Sequence, residues 1–90
     1  MKTYAAIKSR LFWIKGYPHS GWRGATKDIP GAIQLDFDFA ITDDGGGNFL
    51  LAYSSLDGVY TADSWHETLD SAYECAQKSF GIERTEWGQP

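Results

Sequence analysis

Ninety residues make one domain, 1–90, with a thin core, since a chain of that size buries only somewhat more than roughly 60% of the surface its unfolded form exposes. Four Trp, five Tyr and five Phe within a 42% hydrophobic composition exclude disorder for most of the chain, because each aromatic side chain buries on the order of 150–250 Å². The net charge of −4 disfavours direct binding of nucleic acid and favours a basic partner. Cys75 is the only cysteine, which excludes an internal disulfide and suits a reducing compartment, so the expected location is the cytoplasm.

The charges are segregated along the chain. Residues 1–27 carry six basic side chains and no acidic one, and residues 28–77 carry ten acidic side chains and no basic one. Lys8 and Arg10 interrupt any N-terminal run long enough for a signal segment, and no stretch approaches a membrane span. Neither export by a classical signal nor membrane insertion is expected.

In chain order, the first fourteen residues fit two readings. Tyr4, Ile7, Leu11 and Ile14 would make a helical stripe, whereas "LFWI" favours a strand, and the strand is preferred. Residues 16–31, "GYPHSGWRGATKDIPG", hold four Gly and two Pro and read as a long irregular loop. In "IQLDFDFAIT" (33–42) the odd positions are apolar and the even positions polar or small, which is the period-two signature of a strand with one solvated face. "DDGGGN" (43–48) breaks that strand and "FLLAYSS" (49–55) starts another. Asp57-Gly58 is a two-residue turn signal leading to a further strand over 59–65.

The period then changes. Leu69, Ala72, Tyr73, Ala76 and Phe80 recur at helical spacing, with Thr68 as N-cap, Asp70 in the first turn, Lys78 in the last and Gly81 as the left-handed stop, so that Ile82 folds back toward Ala76. The expected fold is therefore α+β: an antiparallel sheet of about four strands, with one C-terminal helix packed across one face.

Asp36 and Asp38 stand about 7 Å apart on one strand face, where their repulsion in water is only about 0.6 kcal/mol. Two carboxylates without converging oxygen ligands do not make a metal site, and neither metal nor cofactor is expected. The glycines 45–47 precede a strand and lack a following Lys-Ser/Thr, unlike a phosphate-binding loop. The material for acid–base or nucleophilic chemistry is His66-Glu67, His19 and Cys75. His66 reads first as a helix-entry hydrogen-bonding residue, and Cys75, inside the helix, as a small packing residue. Candidate partner-binding residues are Asp36, Asp38, Asp43 and Asp44, as an acidic face, with Trp22 and Arg23, types enriched at interface hot spots. Trp22 equally fits a lid over the small core, and the acidic face equally fits a solvated sheet surface with first-strand bases lying across it.

Residues 63–87, "DSWHETLDSAYECAQKSFGIERTEW", resemble a segment of small immunity proteins of bacterial polymorphic and contact-dependent toxin systems. The matching residues are Trp65, His66, Glu67, Thr68, Leu69, Ala72, Ala76, Phe80, Gly81, Ile82 and Trp87, about 25 positions of the chain in span. "IPG" followed by "DFDF" (29–39) is similar to the same chains, whereas Cys75 and the 16–31 loop have no place in that pattern. The resemblance implies a non-enzymatic cytoplasmic antidote that binds and neutralises a toxin domain, for example a nuclease with a basic cleft. Two alternatives stand beside it: a phage-type or regulatory inhibitor of a nucleic-acid enzyme, and a small enzyme using His66.

Overall fold

The computed structural model of the protein describes residues 2–18 and 21–88. It is α+β. Five strands, β1 (Thr3–Lys15), β2 (Arg23–Gly24), β3 (Ile33–Asp43), β4 (Phe49–Ser55) and β5 (Thr61–His66), are followed by one helix, α1 (Leu69–Phe80). The sheet is antiparallel throughout, in the order β2-β1-β3-β4-β5.

The N-terminal segment is the preferred strand. It pairs with β3 from Thr3↔Thr42 to Ile14↔Ile33, and the register slips between Ile7 and Arg10. That slip is a β-bulge, and Ser9 takes φ 57° within it. Bulges insert an unpaired residue and bend the strand.

The strand beyond the four expected, β2, lies inside the stretch expected to be an irregular loop. Arg23 and Gly24 pair with Lys15 and Ile14, and Ala25 N–H donates to the Trp13 carbonyl at 2.9 Å. Burial of Trp22 supplies the cause. Its ring lies 5.7 Å from Phe37, 5.8 Å from Tyr53 and 5.6 Å from Tyr60, which draws the chain along the β1 edge. Gly16 permits the approach: at φ 120° it places its backbone where an added Cβ would stand 2.8 Å from the Trp22 Cα.

The 55–60 turn is also wider than a two-residue hairpin. Ser55 N–H bonds the Tyr60 carbonyl at 2.8 Å, while the Asp57 carboxylate accepts from the Ser55 hydroxyl at 2.6 Å and from Val59 N–H at 3.0 Å. The side chain of Asp57 thus holds open a loop that Asp-Gly alone predicts to be tight.

Helix α1 has the expected ends. Thr68 Oγ1 accepts from Ser71 N–H at 3.0 Å; Gly81 adopts φ 67°; Ile82 N–H returns to the Ala76 carbonyl at 3.3 Å. Ala72 and Ala76 are fully buried against the sheet, so small residues let α1 sit close to Phe37, Phe39, Ile41 and Leu51. Phe80 closes the layer, 4.9 Å from Phe12, 5.1 Å from Phe39 and 4.7 Å from Tyr53 between ring centroids. A 3-10 turn at Arg84–Glu86 then leads to Gly88, which exchanges two backbone hydrogen bonds with Ala6 at 2.9 and 3.3 Å. The buried Trp87 Nε1 beside this bridge has no hydrogen-bond partner among the described residues, and nothing in the structure explains it.

Candidate functional site

Helix and core occupy one side of the sheet, leaving its other face uncovered. The pairing register arranges that open face in rows, because directly paired antiparallel residues point to the same side. One row is Thr42, Leu50 and Trp65; the next is Ala6, Ala40, Ala52 and Asp63; the third is Asp38, Ser54 and Thr61; Leu11 and Asp36 make a fourth. The second row is small except at its end. A hollow of about 390 Å³ forms there, floored by Ala40 and Ala52 and rimmed by Lys8, Asp38, Ser54 and Asp63. Beside it stand two exposed large apolar groups, Leu11 and Trp65, each more than half accessible.

Asp36 and Asp38 share this face but not a role. Asp38 Oδ1 accepts from Ser9 N–H at 3.0 Å, satisfying the donor that the bulge leaves unpaired, and its other oxygen lies 3.7 Å from the Lys8 ammonium. Asp36 makes no side-chain hydrogen bond among the described residues; its backbone carbonyl accepts from Leu56 N–H at 3.1 Å.

Asp43 and Asp44 build the β3–β4 turn. Asp43 accepts from Lys2 N–H and Gly45 N–H, at 2.9 and 3.0 Å. Asp44 accepts from Gly46 and Asn48 N–H, at 2.7 and 3.0 Å, and from the Trp65 indole at 3.2 Å. Those two backbone donors, and then the indole, hold the Asp44 carboxyl below the usual range. Both carboxylates stay at the surface, yet their geometry is set by the turn.

Trp22 lies on the opposite, helix side, as the lid reading expects, and Arg23 is exposed beside it. The six sequence-chosen residues therefore do not form one patch: Asp36 and Asp38 lie on the open face, Asp43 and Asp44 at the β3–β4 turn, Trp22 on the other layer, and Arg23 on the edge strand β2. Asp63 and Trp65 are the open-face residues that sequence reasoning passed over. Thr61, Asp63 and Trp65 alternate with Ala62, Ser64 and His66, but neither set is consistently apolar, so only the β4–β5 register discloses which side Asp63 takes.

The helix side holds a second hollow, of about 580 Å³, bounded by Trp22, Arg23, Tyr53, Ser64, Cys75 and Phe80. At its margin is a chain of hydroxyls and imidazole. Ser64 Oγ is 2.8 Å from His66 Nε2, and His66 Nδ1 is 3.1 Å from Ser71 Oγ. The Cys75 sulfur stands 3.9 Å from Ser64 Oγ. A hydroxyl hydrogen-bonded to imidazole can in principle be activated as a nucleophile, but the group orienting His66 is the neutral Ser71 rather than a carboxylate. The same contacts tie the end of β5 to the first turn of α1. His19 lies outside the described residues.

Among the described residues no three His, Cys, Asp or Glu side chains converge as a metal cluster, and no helix is long and apolar enough to cross a membrane. Comparison of the chain with family models, with curated proteins and with solved structures finds no match.

Proposed function

We propose that this chain is a non-enzymatic protein–protein inhibitor, an immunity-type antidote that binds and neutralises a toxin domain in the cytoplasm. The observation that carries the reading is the uncovered sheet face, where Asp36, Asp38 and Asp63 stand on strands that carry no Lys or Arg, beside Leu11 and Trp65. Apolar anchors within a charged surround are what a specific interface needs. The excess of carboxylates suits a basic partner such as a nuclease cleft, for which opposite charge raises the association rate. The resemblance of residues 63–87 to immunity proteins supports the same reading.

Co-expression with the product of a neighbouring open reading frame that arrests growth on its own tests it. The chain should restore growth and co-purify with that product. Growth arrest despite soluble, folded chain would overturn the proposal.

A hydrolytic reading is favoured by one observation, the Ser64–His66–Ser71 relay beside the second hollow. A fluorophosphonate probe separates the two: the inhibitor reading expects no labelling of Ser64 and full protection by Ser64→Ala, while enzymatic action requires labelling and loss of protection.

A further inference from the structure

The two edges of the sheet are treated differently. Along β1 the outer edge is occupied at one end by β2 and at the other by Gly88, with the Ser9 bulge between. Bulges and covering segments are the usual means of blocking unwanted strand pairing. β5 has neither. Among the described residues, no backbone hydrogen bond other than those to β4 engages Thr61–His66.

The phase of the ladder shows which groups are bare. Ser55 N–H bonds Tyr60 O, and Leu56 N–H bonds Asp36 O on the other side of the same strand, so odd residues of β4 face β5. Bonded pairs alternate with non-bonded ones in an antiparallel ladder. Tyr53–Ala62 and Leu51–Ser64 are then the bonded pairs, and the N–H and C=O groups of Thr61, Asp63 and Trp65 point outward from the edge. Hollows flank this edge on both sides of the sheet. Asp63 borders the open-face hollow, Ser64 the helix-side one, and Ala62 touches both.

From this placement we infer that the β5 edge is a strand-addition site. It takes an extended segment of a protein partner, setting a Lys or Arg side chain toward Asp63 and an alternate apolar side chain toward the hollow of Tyr53, Cys75 and Phe80. Strand addition draws affinity from main-chain hydrogen bonds and specificity from pockets for alternate side chains. Charge identifies the occupant, because β3, β4 and β5 carry Asp36, Asp38 and Asp63 on the open face and no Lys or Arg. A second copy paired symmetrically about Asp63 would instead set two carboxylates directly opposite each other, which is destabilising. The inference rests on the reading that the chain acts by binding a protein.

The test is a nuclear magnetic resonance titration of the ¹⁵N-labelled chain with the capped peptide acetyl-TVKVKVT-amide. In the free protein the amide hydrogens of Thr61, Asp63 and Trp65 should exchange at least about tenfold faster than those of Ala62 and Ser64. The peptide should shift residues lining both hollows and slow those three amides. Replacing its Lys by Glu, or N-methylating alternate amides, should weaken binding at least about tenfold. Asp63→Lys should invert the preference between the Lys and Glu peptides. Thr61→Pro, which removes an outward donor at the first residue of an edge strand and spares the β4 ladder, should weaken binding while the rest of the spectrum persists.

Three results would overturn the inference: no saturable shift at millimolar peptide, equal binding of the N-methylated peptide to the open face, or dimerisation of the free chain through β5. No toxin enters the titration, so the two readings fail separately. Peptide capture by a chain that gives no protection against the toxin removes the immunity reading alone. Protection by a chain whose β5 amides stay exchangeable in the toxin complex removes the edge alone.

Discussion

Asp38 and Asp36 are two residues apart on one strand, but only Asp38 is tied into the fold, through Ser9 N–H and Lys8. Hydrogen bonds to charged groups contribute about 1.5–3 kcal/mol, less where water competes, so Asp38→Ala should cost about 1–2 kcal/mol in urea unfolding. Asp36→Ala should stay within about 0.5 kcal/mol, as surface substitutions do. Equal costs would show that the bulge does not depend on Asp38. Asp44 makes a prediction in pH. Its folded pKa is lowered by the Gly46 and Asn48 N–H groups and by Trp65, so the carboxylate stabilises the fold above the unfolded value of about 3.9. That contribution is lost as pH falls through this value toward the lower folded one. Asp57 and Glu86 are lowered too, Asp57 first by the Ser55 hydroxyl and Glu86 first by Glu83 N–H, and they act in the same direction. Thermal melts should therefore show Asp44→Asn less stable than the parent at pH 7, with the gap closing below about pH 4. A gap constant down to pH 2 would contradict the assigned hydrogen bonds.

Among the elements, α1 was the most legible in the sequence because its determinants are local. Thr68, Asp70, Lys78, Gly81 and the 3–4 spacing of the apolar stripe all lie within fifteen residues and agree with one another. Phe80→Ala should cost about 3–5 kcal/mol, since the ring joins Phe12, Phe39 and Tyr53 and its loss leaves a cavity among aromatics. A loss under about 1 kcal/mol would remove Phe80 from the core. Strands β3 and β4 were equally readable, from alternation in one and an apolar run in the other. β2 was not. Two residues have no period, and what holds them is distant: Trp22 against Phe37, Tyr53 and Tyr60. The Asp57 turn escaped for a related reason, since Asp-Gly announces a turn while the width depends on which backbone groups the carboxylate captures.

At the scale of the whole molecule, the basic and acidic stretches of the chain meet in one sheet: β1 and β2 carry Lys8, Arg10, Lys15 and Arg23, whereas β3, β4 and β5 carry no Lys or Arg. Some first-strand bases are consumed internally: Lys8 lies at Asp38, and Arg10 on the helix side bonds Glu86 and the Gly81 carbonyl. Asp36 and Asp63 take neither ion pair nor side-chain hydrogen bond among the described residues. The acidic run was visible in sequence, whereas the face it occupies required the register, which is why Asp63 and Trp65 emerged from the structure and Trp22 moved to the other layer. If the free carboxylates steer a basic partner, association is where they act. Asp38 is a poor probe of this, because its charge is entangled with the bulge. Asp36→Lys combined with Asp63→Lys alters the open face without touching a hydrogen bond assigned here. The decisive measurement is the association rate of that double variant with the toxin domain as a function of ionic strength. The variant should bind about tenfold more slowly at low salt and converge on the parent once the Debye length falls to a few ångströms. Rates that match the parent at every salt concentration would contradict recognition through the carboxylates of the open sheet face.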